Sequence, residues 1–297
     1  MTNKWRMQTS ISEKIITIIV YVVIILLCIV TIYPFIYVFC YSISEAGKAS
    51  AFPITVYPRG FTLTNYQAVL KDSDIFNAFF ISVTRTLIGT TGTLLVTGLT
   101  AYALSKRLIA KKWIMWYFMI PMYVSAGLIP TFVIISKLGL LNNYLVYIFP
   151  LLFSTYYMII MKTFFEQLPP SLEESALIDG ANHFTVFIRI VIPSSMPVIA
   201  TIALFAGVQQ WNSYFDGILY ISIKSLQPMQ TLMYRILKGE EVFTLSEMMT
   251  IENNTSIVTM EGIKMAMLMV TTVPILCVYP FLQKFFVKGM LLGAVKG

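Results

Sequence analysis

Long apolar runs alternate with short polar segments from one end of the chain to the other. Runs of about 20 residues or more, enough to cross a bilayer core as helix, fall at roughly 15–42, 76–104, 113–136, 142–164, 197–222 and 262–285. Pro121 and Pro130 interrupt the third; neighbouring helices can take up the carbonyls that a buried proline frees. The pattern predicts an all-α, polytopic membrane protein with six transmembrane helices. Six spans leave no room for a soluble domain, so residues 1–297 read as a single membrane domain.

The polar segment 166–196 is unlike the other connections. Pro169 and Pro170 stop the apolar run before it. Ser171 stands three residues ahead of Glu174, the spacing of a capping box, and Glu173 and Glu174 lie where a helix dipole favours negative charge. Asp179-Gly180 predicts the end of that helix, because glycine takes the left-handed conformation without a Cβ penalty. A second amphipathic run, Phe184 to Ile192, ends at Pro193. A helix–glycine–helix elbow between spans is built to be gripped from the cytoplasm.

Composition agrees with a membrane chain: 57% hydrophobic and 12% charged, against roughly 45–50% and 25% in soluble domains. The net charge of +7 is a topology signal. With the N-terminus inside, the cytoplasmic side receives Lys4, Arg6, Lys14, the cluster Lys106, Arg107, Lys111 and Lys112, and Lys162, Arg189, Lys284, Lys288 and Lys296. Nothing in that distribution points to nucleic acid. The first run is about twice the usual 7–15 residues of a signal peptide and has no small-x-small cleavage site, so it reads as an anchor. Cys28, Cys40 and Cys277 lie in apolar spans without paired spacing, which implies neither disulfide nor metal. His183 is the only histidine and no GxxxxGK[ST] phosphate loop occurs. The expectation is no catalytic centre, no metal site and no nucleotide site in this chain.

Polar residues inside the spans carry the remaining signal. The second span interleaves Thr86, Thr90, Thr93, Thr97 and Thr100 with Gly89, Gly92 and Gly98, small residues that let backbones approach in lipid or slide during gating. Arg85 should face protein or water rather than hydrocarbon; Asp72 or Asp74 could pair with it, or it could touch a polar substrate. In the fifth span Gln209, Trp211, Asn212, Tyr214 and Asp216 suit a sugar path, since hydroxyls pair with amides and carboxylates and an apolar ring face stacks on an aromatic. The alternative is interhelical polar contact. Residues two apart do not share a helix face, so Trp211 with Tyr214, or Gln209 with Asn212 and Asp216, could line a path together; the second set most needs water or sugar around it. Outer loops 43–75 and 223–260 are long enough to meet an extracellular partner. No internal repeat is visible, which weighs against carriers built from inverted halves.

Glu174-Ser175-Ala176, then Gly180, then Ile190-Val191-Ile192-Pro193 resembles the EAA loop of ATP-binding-cassette importer permeases. That loop reads Glu-Ala-Ala, three residues, Gly, nine residues, Ile-x-Leu-Pro; Ser175 and Ile192 are the departures. LEESALIDGA, the terminal Lys288 to Gly297, and Phe61 to Tyr66 are similar to the smaller permease subunit of maltose-type carbohydrate importers, in the Gram-positive branch that imports complex oligosaccharides. The resemblance covers nearly the whole chain. It implies a multi-pass permease of a bacterial plasma membrane, not an enzyme, embedded in membrane lipid with both termini cytoplasmic. The implied partners are a second, different permease subunit, an ATPase dimer that binds ATP and Mg, an extracellular solute-binding protein and a carbohydrate substrate. It also implies that Glu173, Glu174, Ser175, Ala176, Asp179, Gly180, Ala181 and Pro193 belong to a coupling helix and loop docked in an ATPase groove. The tail residues Lys296 and Gly297 would reach between the two ATPase chains. In that family the sugar contacts come mainly from the other permease subunit. A secondary carrier or a membrane enzyme would leave residues 171–197 without a purpose.

Overall fold

The computed structural model describes residues 11–45, 48–49, 56–71, 73–238 and 259–294. Its helices are α1 (Ile11–Ser42), α2 (Thr64–Lys71), α3 (Ser73–Ser105), α4 (Lys111–Tyr123), α5 (Leu128–Lys137), α6 (Thr155–Phe165), α7 (Pro170–Ile178), α8 (His183–Ser194), α9 (Met196–Asn212), α10 (Phe215–Tyr220), α11 (Met229–Lys238) and α12 (Met260–Ala294). Among the described residues no strand forms, and the isolated backbone bridge joins Ser44 to Phe61.

Three helices among the described residues are each long and apolar enough to cross a membrane: Ser12–Ser42, Ser73–Ser105 and Met260–Val278. The third and fourth apolar runs, expected as continuous spans, are bent pairs, and the fifth forms α9 and α10 with a break after Asn212. α4 and α5 meet at 114°, where Val124 turns extended and Gly127 takes φ +86°. Short 3-10 turns at Tyr144–Tyr147 and Phe149–Leu151 lead into α6 at 47°. Asn143 and Ser154 there accept the backbone N–H of Leu145 and of Tyr157, satisfying free donors at the helix starts. α8 meets α9 at 87°. Each pair counted as one span gives six.

The chain divides into two compact units. In the first, Met1–Val69 with Phe243–Val270, the Asn65 amide donates to the carbonyls of Ser42 (2.9 Å) and Ser44 (3.3 Å), and Tyr66 OH bonds Ser42 Oγ at 2.8 Å. These contacts fasten α2 to the end of α1. Most of α1 exposes its apolar side chains all round, a surface suited to lipid rather than water.

In the second unit, Leu70–Val242 with Thr271–Gly297, α3 is the central rod and packs against α9 and α6. Its glycine–threonine stripe is the packing face. Thr93 and Thr97 are buried, and Thr93 Oγ1 donates to Leu151 O at 2.8 Å. A Cβ on Gly98 would stand 3.1 Å from Met161 Cε, so the small residue sets the helix separation. Ala101, Tyr102, Leu104, Met158, Met161, Phe165, Val186, Phe187, Val191, Val198 and Ile202 form one apolar cluster. It is built from α3, α6, α8 and α9, and it seats the polar elbow on the bundle.

Candidate functional site

The elbow starts one residue before its expected cap. Pro170 occupies the first helical position of α7 and Pro169 is the N-cap, without a side-chain hydrogen bond. Proline needs no N–H there and its ring presets φ. Ser171 therefore lies inside the helix, where its carbonyl accepts from Ser175 Oγ at 2.7 Å, and the Ser171–Glu174 capping box does not form. The other end follows the expected glycine stop. Gly180 has φ +86°, Gly180 N–H donates to Leu177 O (3.1 Å) and Ala181 N–H to Ala176 O (3.0 Å), the paired bonds of a Schellman ending. Ala176 and Ala181 pack on the apolar cluster.

Asn182, which sequence reasoning passed over, caps α8: its Oδ1 accepts Thr185 N–H at 2.8 Å. Helix continues through Pro193 to Ser194, one residue past the expected stop. The turn Phe187–Val191 just before it is π-helical, a widening that accommodates the hydrogen bond a proline cannot make. Val186, Phe187 and Val191 are buried while His183, Phe184, Ile188 and Arg189 face out. One face of α8 thus holds the bundle and the other is open.

The two glutamates divide. Glu173 turns inward: Lys106 Nζ reaches both of its carboxylate oxygens, and Tyr102 OH donates to Oε2 at 3.4 Å. Lys106 Nζ also sits over the Tyr102 ring, 4.6 Å from its centroid. Glu174 is exposed and has no ion pair among the described residues; Ser175, Asp179 and Gly180 are exposed as well. Beside the elbow, Glu166 accepts from Lys162 (2.8 Å) and Lys111 (2.9 Å), joining the start of α4 to the end of α6. Burial pushes this carboxyl up, but the two lysines outweigh it and hold Glu166 below its ordinary value of 4.5.

A second polar cluster lies deep in the unit. Arg85 of α3 is fully buried. Its Nη2 pairs with Asp216 Oδ2, its Nη1 donates to Asp216 Oδ1 and to Ser213 O at 3.3 Å, and its Nε and Nη2 donate to Gln210 Oε1 at 3.3 Å. The guanidinium lies 4.3 Å from the Tyr147 ring centroid, and Gln210 Nε2 donates to Tyr147 O at 3.3 Å. Pairing is what makes a charge at this depth tolerable. The partner is Asp216, far along the chain, rather than the sequence neighbours; Asp72 lies outside the described residues.

The five residues expected along a sugar path do not converge. α9 ends at Asn212, so Asp216 belongs to the next helix and the face Gln209–Asn212–Asp216 does not exist. Asp216 is occupied by Arg85. Trp211 is buried, donates from Nε1 to Thr271 O at 3.0 Å, and walls an apolar cavity of about 240 Å³ with Val83, Leu87, Leu204 and Pro274. Gln209 accepts from Tyr157 OH at 3.2 Å. Asn212 accepts from Gln230 Nε2 at 3.5 Å, and Tyr214 stacks on Tyr234 with ring centroids 4.8 Å apart. Asn212 and Tyr214 thus stay exposed beside α11. Lys296 and Gly297 lie outside the described residues.

The model of the family "Binding-protein-dependent transport system inner membrane component" matches residues 94–292, which include α6 to α9 and the whole elbow. The chain belongs to that family. It is similar to the polygalacturonan/rhamnogalacturonan transport system permease protein YtcP of Bacillus subtilis, with 36% identity over 293 residues, covering 96% of this chain and 100% of that one. Protein LplC of Bacillus subtilis is 38% identical over 272 residues, 90% of each chain. The trehalose/maltose transport system permease protein MalG of Thermococcus litoralis is 27% identical, covering 92% of this chain and 94% of that one. Among solved structures, a chain of a bacterial ABC transporter involved in the import of the acidic polysaccharide alginate superposes with a TM-score of 0.88 at 28% identity, covering 94% of this chain and 99% of that one. The protein is therefore an all-α, multi-pass permease of the bacterial plasma membrane and a component of an ABC importer.

Proposed function

We propose that this chain is one transmembrane subunit of an importer that brings carbohydrate oligomers into the cell, driven by ATP hydrolysis on separate chains. It would pair with a second, different permease subunit, two ATPase subunits that bind ATP and Mg, and an extracellular solute-binding protein that delivers the sugar. The observation that carries this reading is the elbow. α7 and α8 present an exposed acidic and glycine-bearing surface, including Glu174, Asp179 and Gly180, while Val186, Phe187 and Val191 bury the other side in the bundle. An element fixed to the spans on one side and open on the other suits the transfer of motion from a partner.

Several of the expected residues have a role under this reading. Glu174 offers charge to a basic groove on the ATPase, Ala176 and Ala181 seat the helix, and Gly180 sets its end. Lys296 and Gly297 would contact the ATPase pair, as the family resemblance implies. Asn212 and Tyr214, exposed beside Gln230 and Tyr234, offer the amide and aromatic chemistry that sugars use. The names of YtcP and of the alginate importer support uronate-bearing oligomers as the first class to try. Purification of the tagged chain from its native membrane tests the proposal. It should bring down an ATPase, a second permease and a binding protein that carries a glycan. A copurifying binding protein loaded with an amino acid or a metal would contradict it.

A further inference from the structure

We propose that Lys106 and Glu173 form a positioning latch that carries movement of the elbow into α3, and through α3 to the buried Arg85–Asp216–Gln210 cluster. The inference rests on the importer reading above and assigns to two residues a part that elbow docking does not require.

Glu173 makes every polar side-chain contact between α7–α8 and the rest of the described residues, to Lys106 and Tyr102. The other side-chain contacts that seat the elbow on the bundle are apolar packing, which can slide. The latch sits where two helix ends meet. Lys106 directly follows α3, and its N–H donates to Ala103 O at 3.2 Å; Glu173 lies in the first turn of α7. A cation is favoured at a helix C-terminus and an anion at an N-terminus, so each ion suits its own helix as well as its partner. The Tyr102 ring lies under Lys106 at 4.6 Å, and its hydroxyl donates to Glu173. The Glu173 side chain is 14% exposed and that of Lys106 33%, so the pair is only partly screened by water.

α3 then supplies a continuous lever. From Ser105 back to Arg85 the helix is unbroken, about 30 Å at 1.5 Å per residue. At that depth Arg85 holds Gln210 of α9, Ser213 within the break and Asp216 of α10. A tilt imposed at Lys106 therefore reaches the one place where the fifth apolar run is already hinged.

The test uses the complete importer, purified with its partners and reconstituted in vesicles, and reads glycan taken up per ATP hydrolysed. Lys106→Glu and Glu173→Lys should each lower that ratio about tenfold, within the usual range of coupling between sites, while the ATPase subunits stay bound. The double reversal, Lys106→Glu with Glu173→Lys, should restore most of it, and Lys106→Arg should keep it. If the reversed single variants fail to assemble, Lys106→Met and Glu173→Gln, which place no like charges together, give the same reading. An unchanged ratio in the single variants, or a double variant no better than the worse single one, overturns the latch. Absence of ATP-dependent uptake in the unsubstituted complex would instead count against the importer reading itself.

Discussion

Gly89 of α3 lies so close to Gln210 of α9 that a Cβ at position 89 would stand 2.3 Å from Gln210 Nε2. Gln210 has nowhere to retreat, since its amide already binds Arg85 and Tyr147 O. Gly89→Ala should therefore cost about 1–3 kcal/mol, the range for overpacking a filled core. At Gly207, where the nearest atom would lie 3.5 Å away, alanine should be tolerated. Thermal denaturation of the two variants in detergent, side by side, checks the contrast.

Arg85 and Asp216 should behave as a coupled pair. Arg85→Met leaves a carboxylate facing a dry cluster, and removing one partner of a buried pair costs about 3–5 kcal/mol. The Asp216 side chain is 16% exposed, which places the loss at the lower end. Asp216→Asn should cost less, and the double variant should cost clearly less than the sum of the two. Additive losses in a double-mutant cycle would mean that the two side chains do not interact.

The pH response of the Lys111–Glu166–Lys162 bridge has a definite sign. The folded protein holds Glu166 below its ordinary value of 4.5, so the bridge contributes fully above that value and is lost as pH falls through the lower folded value. Stability of Glu166→Gln measured against the unsubstituted chain should show a deficit at neutral pH that shrinks in acid. A deficit that grew on acidification would contradict the assignment.

The sequence made the apolar runs, the elbow and its glycine stop legible, because each depends on residues near one another in the chain. The hinges inside the runs were not. The break after Asn212 has neither proline nor glycine at Ser213 or Tyr214; it coincides with Arg85 drawing in Ser213 O and Asp216, contacts that span about 130 positions. The same distance hid the partner of Arg85. Spacing marks Ser171 as a cap, yet Pro170 starts the helix earlier, a competition between two local signals that spacing alone does not rank. Lys106 was visible only as one of several basic residues. What singles it out is the fold, which places it beside Glu173.

Gln209, Asn212 and Tyr214 are the residues of the expected path that remain exposed, the last two beside α11, whereas Gln210 is structural. Asn212→Ala and Tyr214→Ala should therefore lower uptake several-fold while the chain reaches the membrane in normal amount. Gln210→Ala should lower the amount itself by opening a buried cluster. Uptake normalised to immunodetected protein separates the two effects; normal uptake by both exposed variants would assign the sugar contacts to the partner permease.

ATP-driven uptake of a short oligogalacturonide by vesicles containing the complete importer, with and without Glu174→Lys, tests the account most directly. The unsubstituted complex should accumulate the sugar only when ATP is inside with the ATPase subunits, and Glu174→Lys should abolish accumulation while the chain stays inserted and folded. Accumulation without ATP, or equal accumulation by the Glu174→Lys complex, would contradict the account.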